Sequence, residues 1–106
     1  MINLMPIVGI LALLAGCSTH YNRVHGDTLN LYLYKPDARR VLLACSHDRF
    51  VPHEARNEDK KWVVSLPAQA EFRYFYLVDG KTYLPACQLK EYDDFGSENC
   101  IYQPEL

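Results

Sequence analysis

The chain has 106 residues and a formal net charge of −2, from 11 Lys and Arg against 13 Asp and Glu. That length holds one small domain and no second one. Arg39-Arg40 and Lys60-Lys61 are isolated pairs rather than a basic run, which excludes the footprint of a nucleic-acid binder.

An uncharged apolar run, Ile7 to Ala15, closes on Leu14-Ala15-Gly16-Cys17. The run has the length of a signal-peptide core and is too short to cross a bilayer as a helix. Small residues at Ala15 and Gly16 open the backbone to a peptidase, and the Cys17 thiol is then the atom to be acylated. This resembles a bacterial lipoprotein cleavage box, with one departure: Met1 to Pro6 carries no Lys or Arg, where a signal peptide normally opens on one. The box divides the chain into a signal peptide (1–16), an acylated Cys17 with a polar tether (17–27), and a domain (28–106). Two or three acyl chains on one residue anchor stably where a single chain does not. The first expected partner is therefore a membrane, reached through the lipid anchor, in the oxidising bacterial cell envelope. By resemblance to other bacterial lipoproteins, Ser18 after the acylated Cys favours the outer membrane.

Eight Tyr, four Phe and one Trp suit either a half-buried pleated surface or a stacking surface for a flat ligand. From Thr28 to Tyr34, Leu29, Leu31 and Leu33 alternate with Asn30, Tyr32 and Tyr34, which predicts a strand. Lys35-Pro36-Asp37 ends it, because proline cannot continue a ladder. Val41 to Cys45 is a second strand, with Val41, Leu43 and Cys45 on one face. Asn57 to Lys61 reads as a charged turn, and Trp62, Val64 and Leu66 mark a third strand that Pro67 stops. Phe72 to Val78 is the strongest strand, with Phe72, Tyr74, Tyr76 and Val78 opposed to Arg73, Phe75 and Leu77. Asp79-Gly80 supplies a hairpin turn, and Lys81 to Leu84 runs back. Gln88 to Glu98 reads as a polar loop, and Asn99 to Gln103 as the last strand. Short strands separated by turn signals, with no helical period, predict an all-β sandwich.

The order of motifs resembles a known family. KPDARRVLLACSHDRF, KWVVSLP, FRYFYLVDG and DDFGSENCIY, from about Thr28 to Gln103, are similar to the glycogen-binding domain of carbohydrate-binding module family 48. That domain occurs in the beta subunit of AMP-activated protein kinase and at the front of branching enzymes and isoamylases. The resemblance implies an early-set, immunoglobulin-like β-sandwich that binds α-glucans through an aromatic and polar cluster. Phe50 stands where the family's key tryptophan follows the second-strand turn. Tyr83 is the aromatic nearest to a second tryptophan after the Asp-Gly turn, offset by a residue. Phe75 replaces the family's sugar-bonding lysine, which removes a donor. The loop hydrophobe falls on Phe95, the hydroxyl residue on Ser97 and the amide on Asn99, which offers sugar hydroxyls both a donor and an acceptor.

Other chemistry is set aside. Cys45, His47 and His53 lack the paired spacing of a structural zinc site. Asp93-Asp94 and Glu58-Asp59 are adjacent acids in turns rather than a separated catalytic pair, and no Gly-rich phosphate loop is present. Neither an enzyme nor a cofactor is expected. With Cys17 acylated, Cys45, Cys87 and Cys100 permit at most one intramolecular disulfide. The expected pairing is Cys87 with Cys100, which staples the loop before the last strand. Cys45 with Cys100 instead ties the second strand to the last; Cys45 otherwise reads as a buried, inert thiol. The expectation is a membrane-anchored, non-catalytic module that binds an α-glucan or related polysaccharide. The alternative is an envelope protein-interaction or assembly module on the same fold.

Overall fold

The computed structural model describes residues 19–68 and 70–104; the signal-peptide segment and Cys17 lie outside the described residues. Ten strands follow in chain order: β1 (His20–His25), β2 (Thr28–Tyr34), β3 (Val41–Cys45), β4 (His53–Glu54), β5 (Arg56–Glu58), β6 (Lys61–Pro67), β7 (Phe72–Val78), β8 (Lys81–Tyr83), β9 (Lys90–Tyr92) and β10 (Glu98–Tyr102). They form two antiparallel sheets. One has the order β1-β2-β6-β5. The other runs β4-β3-β7-β10-β9, with β8 also paired to β7. β3 lines one flank of β7. On its other flank β10 pairs the Phe72–Tyr74 half and β8 the Tyr76–Val78 half.

Period-two alternation makes the core. Leu29, Leu31 and Leu33 of β2, with Trp62 and Val64 of β6, face Val41, Leu43 and Cys45 of β3, Phe72, Tyr74 and Tyr76 of β7, and Cys100 and Tyr102 of β10. All of these are buried. Trp62 spends its one donor on the Lys35 carbonyl (3.0 Å), so a large ring is buried without an orphaned N–H. The result is an immunoglobulin-like β-sandwich, in which each sheet covers the apolar face of the other. Cys87 and Cys100 are disulfide-bonded, with Cα atoms 5.9 Å apart. Cys45 is free and buried, and burial pushes its thiol above the usual range.

The expected elements need three corrections and one addition. His20–His25, expected as part of a tether, is an edge strand in full register with β2, from His20 opposite Leu33 to His25 opposite Thr28. The sandwich therefore begins eight residues earlier than the expected boundary at Thr28. Its sequence signal is Gly26-Asp27, a two-residue hairpin loop with Gly26 at φ +59°, where an L side chain is disfavoured. The expected turn Asn57–Lys61 shrinks to Asp59-Lys60, because Arg56–Glu58 pairs with β6. The expected loop Gln88–Glu98 contains β9. His53–Glu54 adds a two-residue edge to β3. Each missed strand is polar, lies at a sheet edge and forms because its neighbour's backbone would otherwise be unpaired.

Candidate functional site

The outward row of β7 is Arg73, Phe75 and Leu77, since Phe72, Tyr74 and Tyr76 face the core. Phe75 lies opposite Ala44 of β3, a small side chain that leaves room above it. Phe50 fills that room, its ring 5.8 Å from that of Phe75 and inclined by 19°. A single-turn 3-10 helix, Ser46–Asp48, brings it there. The chain then passes through two consecutive left-handed residues, Arg49 (φ +62°) and Phe50 (φ +64°), and the Phe50 N–H closes the turn on the Cys45 carbonyl (2.8 Å). Left-handed backbone costs an L-residue about 1–2 kcal/mol, so this turn is held against its local preference, as functional turns often are.

A polar network borders the aromatic pair. Arg73 reaches across β10 to Glu91 with a two-pronged hydrogen bond, Nε to Oε2 and Nη2 to Oε1, both 3.0 Å. It also donates to Glu71 (2.7 Å). The hydrogen bond from Arg73 holds the Glu91 carboxyl below the usual carboxylate range. Glu91 lies opposite Asn99, and Arg73 opposite Ile101. Strand alternation therefore puts Asn99 on the same outward face as Phe75. Asn99 is 6% exposed, a buried polar side chain among the described residues. The sequence reading missed Arg73 and Glu91; their signal is that Arg73 shares the outward row of β7 with Phe75.

The expected site residues thus separate into three groups. Phe50, Phe75 and Asn99 share one face. Phe95 and Ser97 sit in the β9–β10 hairpin loop, where both backbone N–H groups donate to Asp93 Oδ1 (2.9 and 3.0 Å). Phe95 is 93% exposed and stacks on no ring among the described residues. Tyr83 departs from the expected cluster. It lies opposite Tyr76, and directly paired residues share a face, so it packs against the core with Lys35 Nζ 4.2 Å from its ring centre.

Two clefts lie apart from this face. One, of about 1040 Å³, opens between β1 and the Ala86–Leu89 segment, with His20, Tyr74 and Tyr102 in its wall. His20 and the Tyr76 hydroxyl share a hydrogen bond of 3.2 Å there, and burial lowers the His20 pKa to about 4. The other, about 560 Å³, lies beside Cys45, His47 and His53. Its histidines have separate partners: His53 bonds Asp48, and His47 lies against the Phe72 ring, 4.7 Å between centroids. Neither cleft includes Phe50, Phe75 or Asn99.

The fold is an all-β sandwich with an aromatic pair, Phe50 and Phe75, on the outward face of the six-stranded sheet. Compared with known proteins, the sequence matches no family model and no curated protein.

Proposed function

We propose that this protein is a membrane-anchored lipoprotein whose six-stranded sheet carries a shallow saccharide-binding face. The observation that carries the reading is the Phe50–Phe75 pair set beside Asn99 and the Arg73–Glu91 network. Pyranose rings present apolar C–H faces and a rim of hydroxyls. An aromatic platform takes the first, and planar amide, carboxylate and guanidinium groups take the second. Phe50 and Phe75 stack, Glu91 accepts where Arg73 leaves a lone pair free, and Asn99, 6% exposed, offers only an edge of its amide. Phe95 and Ser97 sit on a loop at the end of β10 and extend the face for a longer glucan. Resemblance to the glycogen-binding family makes an α-glucan the first ligand to test. The missing lysine and the shallow surface predict weak affinity, because few donors and little area are available.

Retention in a native gel containing glycogen or amylopectin tests this directly. The wild-type protein is retarded, and Phe50→Ala and Asn99→Ala each abolish the retardation. Identical migration of wild type with and without the polymers rejects α-glucan as the ligand and favours a protein-interaction module. The anchor is tested separately. Cys17→Ser leaves an unprocessed precursor without acyl label, and label uptake unchanged by that substitution removes the lipoprotein assignment.

A further inference from the structure

The four-stranded sheet turns outward a face that, among the described residues, no other element covers. Its rows follow from the register. Tyr34, Lys61 and Glu58 form the first; Tyr21, Tyr32, Val63 and Arg56 the second; Arg23, Asn30 and Ser65 the third. Tyr21 and Tyr32 stack with centroids 4.7 Å apart and planes 8° from parallel. Lys61 Nζ lies 5.6 Å from the Tyr21 centroid, and Arg23 Cζ 5.7 Å from it. Glu58 is engaged by Arg56 at 3.1 Å. Among the described residues neither Arg23 nor Lys61 has a carboxylate partner. Three tyrosines and two unneutralised cations on one flat surface suit a bilayer interface. Tyrosine rings sit at the headgroup level, and long cationic side chains lay their stems on apolar surface while their heads meet anions.

The chain's route supplies the independent observation. The Thr19 carbonyl accepts the Tyr34 N–H at 2.8 Å, so the backbone is already tied to the sheet at Thr19, next to the Tyr34–Lys61 row. Ser18 alone separates Thr19 from Cys17, a reach of about 7 Å at full extension. Acyl chains on Cys17 would therefore enter the bilayer within about that distance of Thr19, which keeps the Tyr34 edge of the sheet near the surface and leaves the charge of the lipid to decide whether the face docks.

We propose that the outer face of the four-stranded sheet, led by Tyr34 and Lys61, lies on the headgroups of an anionic bilayer. The inference rests on acylation of Cys17. It deepens the proposed function by setting an orientation: the opposite sheet, with Phe50 and Phe75, points away from the membrane and toward polymer in the surrounding compartment.

The test uses the full acylated protein in three settings: vesicles of phosphatidylethanolamine with phosphatidylglycerol, vesicles of phosphatidylcholine, and detergent micelles. Tyrosine nitration and lysine acetylation are read peptide by peptide. Tyr92, 70% exposed on the other sheet, is the internal reference. Labelling of Tyr34 and Lys61 relative to Tyr92 is expected to fall several-fold on the phosphatidylglycerol vesicles alone. The double variant Arg23→Glu, Lys61→Glu should remain acylated and lose the Tyr34 protection. Equal protection on both lipids, or none on either, overturns the proposal. Protection in micelles that grows with protein concentration also overturns it, by marking a self-association face. Intact mass separates the two readings. An acylated protein without protection rejects the docking face alone, whereas a protein with no acyl group rejects the anchor and the docking face together.

Discussion

The two sheets share one core and turn different chemistry outward. On the six-stranded sheet, Phe50 and Phe75 stack beside an arginine whose charge is already met by Glu91 and Glu71. On the four-stranded sheet, Tyr21 and Tyr32 stack beside Arg23 and Lys61, which have no carboxylate partner among the described residues. Core packing constrains only the inward row of each strand, so the outward rows were free to diverge. The neutralised face suits an uncharged, hydroxyl-rich ligand. The cationic face suits an anionic surface, and its attraction is screened by salt as the other's is not.

Removal of the disulfide is the largest expected perturbation and acts on one sheet. Cys100 follows Asn99 on β10, and the bridge spans a separation of 13 residues. Cys87→Ala with Cys100→Ala should cost about 3 kcal/mol of stability, read as a lower urea midpoint with a somewhat steeper slope as the uncrosslinked unfolded chain expands. Retention on glycogen should fall with it, since β10 carries the amide. A midpoint equal to wild type would show that the six-stranded face does not depend on the staple.

Acid acts on the other side. His20 begins β1, and its pKa is lowered to about 4 from 6.5 by burial. The folded state therefore favours the neutral ring. That contribution is fully present above pH 6.5 and is lost as pH falls through about 4, amounting to roughly 3 kcal/mol over the whole window. Urea midpoints at pH 7 and near pH 4.5 should differ in wild type, and much less in His20→Phe. An equal acid loss in His20→Phe would assign the effect to carboxylates such as Asp48 and Glu91, both held below the usual range by their hydrogen-bonded partners.

A matched pair of ring deletions sharpens the contrast between the faces. Phe75→Ala and Tyr32→Ala each remove one member of a stacked, half-buried pair, at a cost of about 1 kcal/mol for the lost ring contact. Only Phe75→Ala should abolish retention on α-glucan, and only Tyr32→Ala should weaken the contact with anionic vesicles. The smallest change is expected from Glu91→Gln. It breaks the two-pronged bond from Arg73, a pair at the protein surface, so the unfolding midpoint should move little. Polymer retention should weaken more than stability does, and the reverse order would make Glu91 a structural residue.

Much of the sandwich was legible in the sequence because its signals are local. The Leu29-Leu31-Leu33 row, the Phe72-Tyr74-Tyr76 row and the Asp79-Gly80 turn each lie within a few residues, and a period of two identifies a half-buried strand without its partner. Asp79 (φ +49°) and Gly80 (φ +84°) form the tight turn that this pair of residues encodes. Phe75 could be placed outward from the same row. Tertiary structure alone decided the rest. β1, β4, β5 and β9 are polar segments that become strands only against a neighbour's open backbone. Tyr83 turned inward because its register matched it to Tyr76. Cys100 chose Cys87 over Cys45 because Cys45 is buried on β3 while the loop brought Cys87 to 5.9 Å. Phe50 met Phe75 only through a left-handed turn whose dihedrals no residue in Arg49-Phe50 prefers. Periodicity records which face of a strand is buried; pairing across the chain records which strands and side chains meet, and that information is not carried by any one segment.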